Sequence, residues 1–258
     1  MSDVVLCERD GAIATVTLNR PDKLNAINKE MWRRMGALAD ELSRDEGVRC
    51  VVLRGAGKAF SAGADIGEFA EARSNVAEAQ GYGALMHRAM DGIGALRHPT
   101  VALIRGACVG GGLELASMCD LRIAGESSRF GVPINRIGVV MAYPEIAALI
   151  DLVGRATALE ILLEGRVFGA GEAKEKGLVT RVVPDERVED EAYAAARRIA
   201  EGAPLVNRWH KAFARRLKDP RPLTEAELAE GFAAFGTEDF RVGYRAFLAK
   251  RAPGFTGR

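Results

Sequence analysis

Absences set the first limits on this chain. Its four cysteines, Cys7, Cys50, Cys108 and Cys119, show no C-x-x-C spacing, which argues against a zinc site or redox pair and reads as reduced thiols. Only three histidines occur, His87, His98 and His210. None has metal-ligand spacing, so no metal is expected and each is assigned a structural or surface role. No apolar run approaches the length of a bilayer span, and the first residues, Met1-Ser-Asp-Val-Val-Leu, lack a basic stretch followed by an apolar one. No membrane role is therefore expected, and the cytoplasm is the expected compartment. Charge of one sign is also lacking: 36 Lys+Arg stand against 35 Asp+Glu, which leaves no broad electrostatic grip on nucleic acid.

Familiar catalytic and nucleotide motifs are missing or incomplete. Gly55-Ala-Gly57-Lys58 begins like a phosphate loop, but Ala59 follows the lysine where Ser or Thr is needed. The same glycines fail as a dinucleotide fingerprint because Phe60 stands where the third glycine should fall. No Gly-x-Ser-x-Gly elbow presents a hydrolase nucleophile.

What is present is an alternating pattern. At 258 residues the chain can bury a large core without staples. Val4–Glu8 and Ala12–Leu18 are β-like runs around an Asp-Gly pair, the mark of a hairpin. Met31, Met35, Leu38 and Leu42 predict a core-facing helix over 28–43, with Asn28 as N-cap. Strands are predicted at 49–54, 100–105, 120–124 and 178–183, with helices at 75–96, 111–118 and 171–176 between them, an α/β layered core. Beyond Pro184 the composition turns helical, with breaks at Ala203-Pro204 and Asp219-Pro-Arg-Pro222. We divide the chain into a core over 1–195 and a helical subdomain over 196–258. Leu205, Trp209, Phe213, Phe232, Phe235, Phe240 and Phe247 of the latter need cover, from the parent core or from another subunit.

Two segments carry most of the chemical information, Ala59-Phe-Ser-Ala-Gly-Ala-Asp65 and Cys108-Val-Gly-Gly-Gly-Leu-Glu114. Each puts small residues where a backbone N–H can face a ligand, and the second opens an apolar helix with a glutamate in its first turn. Two N–H donors beside a carboxylate suit a reaction that develops charge on a carbonyl oxygen.

These segments, with Asn19-Arg-Pro-Asp-Lys-Leu-Asn-Ala-Ile-Asn28 before them and Phe130-Gly-Val-Pro133, Gly165-Arg-Val-Phe168, Gly177-Leu-Val179 and Phe247-Leu-Ala-Lys-Arg251 after them, resemble the enoyl-CoA hydratase/isomerase (crotonase) superfamily over essentially the full chain. The resemblance implies an α/β fold with a crotonase-like ββα spiral core, and a C-terminal helical part that closes over CoA and joins subunits into a homotrimer or homohexamer. It implies an acyl-CoA thioester as ligand, with coenzyme A part of the substrate and no further cofactor. By the same resemblance the Ala64 and Gly111 N–H groups form an oxyanion hole, and Glu114 matches a catalytic glutamate. Leu24, Asn25, Ala26, Ala62, Asp65, Ile66 and Gly110 lie along the substrate, while Phe247 and Lys250 approach the CoA nucleotide, often from a neighbouring subunit. Residue chemistry allows other roles for some of these: Asp65 can cap a helix, Glu114 can favour a helix dipole, and Lys250 can simply be solvated.

One departure stands out. Hydratases of the superfamily carry a second glutamate after the Phe-Gly-x-Pro turn, where this chain has Ile134. Isoleucine moves no proton, so Ile134 is expected to be acyl-pocket wall. The loop Ile137-Gly-Val-Val-Met-Ala-Tyr-Pro-Glu145 offers Tyr143 and Glu145 as auxiliaries, against the simpler view that Pro144 and Glu145 open a helix with Tyr143 packed before them. Hydration leads among the reactions. Isomerisation, decarboxylation and thioester hydrolysis use the same oxyanion hole, and a non-catalytic acyl-CoA-binding oligomer is the rival of another class.

Overall fold

A computed structural model describes residues 3–258. The chain opens with β1 (Val5–Asp10) and β2 (Ile13–Leu18), antiparallel about a turn in which Gly11 takes φ +55°, a left-handed conformation that favours glycine. Helix α1 (Lys29–Arg44) follows, its N-cap Asn28 accepting from the Met31 N–H at 2.9 Å, as the pattern predicts. Then come β3 (Cys50–Gly55), the short α2 (Phe69–Ala72), the long α3 (Val76–Ala95) capped by Asn75, and β4 (Thr100–Ile104). The middle of the chain holds β5 (Ala107–Val109), α4 (Gly111–Ser117), β6 (Leu121–Gly125) and β7 (Arg129–Gly131). Helix α5 (Tyr143–Glu164) is broken at Gly154, whose φ of +74° and ψ of 162° are not helical. After it run β8 (Phe168–Gly169), α6 (Ala170–Glu175), β9 (Arg181–Val183) and four helices, α7 (Val188–Glu201), α8 (Pro204–Arg216), α9 (Glu225–Glu230) and α10 (Glu238–Leu248).

Strands pair in the order β1-β2-β3-β4-β6-β9, parallel everywhere except β1 with β2. A smaller sheet, β5-β7-β8, stands apart. Central strands are covered on both faces, which explains their unbroken apolar runs. Cys50, Val52, Val101, Leu103 and Ile123 face Val188, Ala192, Ala195 and Ala196 of α7. Alternate residues, among them Val51, Leu53, Ala102 and Ile104, join Met31, Trp32, Met35 and Leu38 of α1 in the larger core. Each fully buried side chain of this size contributes about 1.5–3 kcal/mol.

The structure shortens one expected strand. The strand predicted over 178–183 pairs only at Arg181–Val183, because Leu178 and Val179 donate to the Ala173 carbonyl and close the turn after α6. Helix α7 runs through position 195, and Ile199 and Ala200 near its end still pack on the sheet. In the helical subdomain, Leu205, Trp209 and Phe213 are partly buried, whereas Phe232, Phe235, Phe240 and Phe247 are exposed on the single chain. Among the described residues no helix is long and apolar enough to cross a membrane.

The loop before α1 is held by one side chain. Asn25 is fully buried at φ +56°; its amide donates to the Ala56 and Ala59 carbonyls at 2.9 and 2.7 Å and accepts from the Arg20 N–H at 2.9 Å. Asn25→Ala should destabilise the protein by about 2–4 kcal/mol by stranding those buried groups, read as a lower urea midpoint.

Candidate active site

The two glycine-bearing segments meet where three irregular stretches converge. Ser61 bridges to Cys108 of β5, and Ile27 bridges to Ala64. In the second bridge Ile27 makes both bonds: its N–H donates to Gly63 O at 2.7 Å, and its carbonyl accepts from Asp65 N at 2.9 Å. The Ala64 N–H is thereby turned to the opposite side of the strand. Gly110 adopts φ +51° and donates to Gly131 O at 2.9 Å, which starts α4 at Gly111. Neither the Ala64 N–H nor the Gly111 N–H has an acceptor among the described residues.

These two free donors are neighbours. A methyl group placed on Gly111 would lie 3.5 Å from Ala64 N, and one on Gly112 would lie 2.7 Å from Ser61 O. Glycine at 112 is therefore a condition of the close approach. Trp32 packs 3.8 Å from the same Gly111 position, and its indole N–H donates to Tyr82 Oη at 3.2 Å.

Glu114 lies one turn into α4, and only 9% of its surface is exposed. Lost hydration pushes its carboxyl up to about 8; the negative charge of Glu145 adds to the rise and Arg73 opposes it. Arg73 stacks over the Tyr82 ring at 3.8 Å and the Phe69 ring at 4.7 Å. Folding thus favours the protonated carboxyl, so Glu114 contributes stability below the unfolded carboxylate range that is lost as pH rises toward 8. Glu114→Gln should therefore gain on the wild type between pH 5 and pH 8.5, by about 1–3 kcal/mol, in urea unfolding at the two pH values.

The other expected site residues divide. Asp65 pairs with Arg20 at 2.8 Å and caps the turn at Gly67 N at 3.0 Å, so its capping role is real. Burial pulls its carboxyl up, but Arg20 and the Gly67 N–H outweigh it and hold the group below the ordinary range. Leu24 O accepts from Ala62 N at 2.9 Å and Ala26 O from Arg20 at 2.7 Å; with Asn25 they form scaffold for the loop, while Ala62 and Ile66 are exposed beside it. Ile134 packs against the larger core. Phe247, 83% exposed in the last turn of α10, and Lys250, at φ +53° just beyond the helix, both lie in the open.

The loop before α5 behaves differently from its simplest expectation. Tyr143 is 92% exposed rather than packed. Glu145 does enter the first turn of α5, but its side chain is only 1% exposed and its Oε1 lies 2.9 Å from His87 Nε2. His87 of α3 thus has a partner at the site, which its sequence surroundings do not signal. His98, by contrast, is fully buried with Nε2 on Leu42 O at 3.1 Å, and burial, with Arg208 and Arg97 nearby, pulls it down to about 4.

A family profile described as enoyl-CoA hydratase/isomerase matches residues 8–258. The chain belongs to the enoyl-CoA hydratase/isomerase family. It is 34% identical over 258 residues to the short-chain-enoyl-CoA hydratase of Clostridium acetobutylicum, covering 98% of each chain. It superposes on an enoyl-CoA hydratase/carnithine racemase of Magnetospirillum magneticum with a TM-score of 0.98 at 53% identity, covering 100% of this chain and 97% of that one. The crystal structure of the Bacillus anthracis enoyl-CoA hydratase matches with a TM-score of 0.91 at 29% identity, over 99% and 100% of the two chains. The family's α/β fold and its enzymatic character therefore hold for this chain.

Proposed function

We propose that the protein binds an acyl-CoA thioester, holds its carbonyl oxygen between the Ala64 and Gly111 N–H groups as enolate charge develops, and adds water to a conjugated enoyl-CoA. The observation that carries this is the adjacency of two unpartnered main-chain donors at the head of the helix bearing Glu114. A carboxyl raised to about 8 is largely protonated at neutral pH and positioned to deliver a proton to carbon as the enolate collapses. The names of the relatives support hydration over the other reactions of the family. Ile134 supplies neither a base for isomerisation nor the second carboxylate that hydratases of the superfamily carry there.

Coenzyme A enters as part of the substrate, along the loop of Leu24–Ala26, Ala62, Asp65 and Ile66, and the Gly110–Gly111 turn faces the thioester. Phe247 and Lys250 reach the nucleotide of a neighbouring subunit in a homotrimer or homohexamer. Their exposure, with that of Phe232 and Phe235, supports such an assembly, because isolated chains rarely leave so many aromatics in water. The cytoplasm is the compartment that fits four free cysteines.

Ultraviolet absorbance of a short conjugated enoyl-CoA tests the reaction. Loss of the conjugated band on adding enzyme is expected. An unchanged band, with turnover of an unconjugated or malonyl-type thioester instead, contradicts hydration.

A further inference from the structure

The hydration chemistry proposed above needs a second proton-transfer group, and Ile134 is not one. We propose that Glu145, held in place by His87, is that group: its free carboxylate oxygen takes the proton of the attacking water while Glu114 serves carbon. The inference rests on the enolate reading of the site and adds two residues to it.

Three observations converge on Glu145. Its side chain is buried almost completely at the start of α5, where a glutamate serving only the helix dipole would face solvent. One oxygen is engaged by His87 Nε2 at 2.9 Å, while the other, Oε2, is buried without any hydrogen-bond partner. Leaving a buried carboxylate oxygen unpaired is costly, and native structures rarely do so without a use for it. Finally, Glu145 bears electrostatically on Glu114, across the contact between α4 and α5. Among the described residues, the charged groups that bear on Glu114 are Glu145 on α5 and Arg73 ahead of α3, and His87 on α3 is the hydrogen-bond partner of Glu145.

The roles then follow from which group holds a proton. With Nε2–H donated to Oε1, His87 fixes Glu145 as an acceptor and leaves Oε2 to receive. Water oxygen bonds to C3 of the enoyl thioester and its proton passes to Glu145 Oε2. The C2–C3 π pair moves toward the thioester oxygen, between the Ala64 and Gly111 amides. C2 then takes the proton of Glu114, and proton exchange with solvent returns both carboxyls to their starting states. One water is added, and nothing is oxidised or reduced. Glu145 touches the reacting water and is a catalytic residue; His87 acts through it and is a positioning residue.

The test compares wild type, Glu145→Gln, His87→Gln and His87→Phe in two assays. One is hydration of a four-carbon enoyl-CoA; the other is exchange of the α-hydrogens of the saturated four-carbon acyl-CoA in heavy water, which needs the oxyanion hole and Glu114 but no attacking water. Glu145→Gln should lose about 10²-fold or more of hydration kcat and keep exchange within about threefold. His87→Phe should lose about tenfold in kcat with KM unchanged, and His87→Gln, which retains a donor at the same reach, should recover most of it. Hydration by Glu145→Gln within threefold of wild type overturns the proposal. So does parallel loss of hydration and exchange, since that marks a structural role. A wild type inactive in both assays overturns the enolate reading itself, whereas a wild type active in both with an unaffected Glu145→Gln overturns only the role of Glu145 as the base.

Discussion

Replacing Glu114 by glutamine should lower hydration of a short enoyl-CoA by about 10²–10⁴-fold, the usual contribution of a positioned acid–base group. The change is nearly isosteric, so the packing around the head of α4 is preserved. What disappears is the one proton that a buried carboxyl, raised to about 8 by lost hydration and by Glu145, carries at neutral pH. A glutamine amide binds the same space without delivering a proton to C2. The loss should therefore fall on kcat, with acyl-CoA affinity within a few-fold of wild type, and stopped-flow kinetics with a separate binding titration will separate the two. A variant that keeps its kcat removes Glu114 from the mechanism.

Exchanging the Ala64 amide for an ester, by incorporating lactic acid in its place, should cost about 10²–10³ in kcat. The substitution removes a single N–H and no side chain. Because Ala64 N has no acceptor among the described residues, the ester removes no hydrogen bond of the loop; it only weakens Gly63 O, now an ester carbonyl, as acceptor of the Ile27 N–H. The effect therefore reads the donor's contribution to the oxyanion directly. Donors fixed before the reaction begins stabilise developing charge without reorganising, which is why a single one carries so large a share. Folding stability should change by no more than about 1 kcal/mol, measured by urea unfolding, so a loss of activity cannot be assigned to unfolding. An ester variant as active as the parent places the thioester oxygen elsewhere.

Much of this architecture is legible in the residues, and the gaps have physical causes. Helix α1 shows itself because one face is apolar and the other charged, so periodicity survives into the sequence. The parallel strands show because they are buried on both faces and rich in β-branched residues. The small sheet does not, since β5, β7 and β8 are only two or three residues long, too short for any alternation to register. Most of α5 also hides: between Ile146 and Leu163 its apolar residues leave little polar stripe to mark a face, and Gly154 interrupts it. Its start is visible at Tyr143-Pro-Glu145, because proline is favoured in the first turn.

The site divides in the same way. Ala64, Gly111 and Glu114 are legible because each belongs to a short continuous segment whose small residues have a local purpose. Asn25 is expected among the substrate-binding residues; its side-chain amide is bonded to Ala56, Ala59 and Arg20, a loop-holding role that its place in the segment does not announce. His87 leaves no signal at all. Its partner Glu145 lies 58 residues away, and only the tertiary fold, which carries the start of α5 to α3, brings the two together.

The claim beneath all of this is that two main-chain donors, at Ala64 and Gly111, receive one thioester oxygen. A crystal structure of the protein with a bound acyl-CoA measures it directly. We predict the thioester oxygen at about 2.7–3.1 Å from both nitrogens, with the acyl α-carbon facing Glu114. A thioester oxygen bound away from the two amides, or in contact with only one of them, contradicts the account.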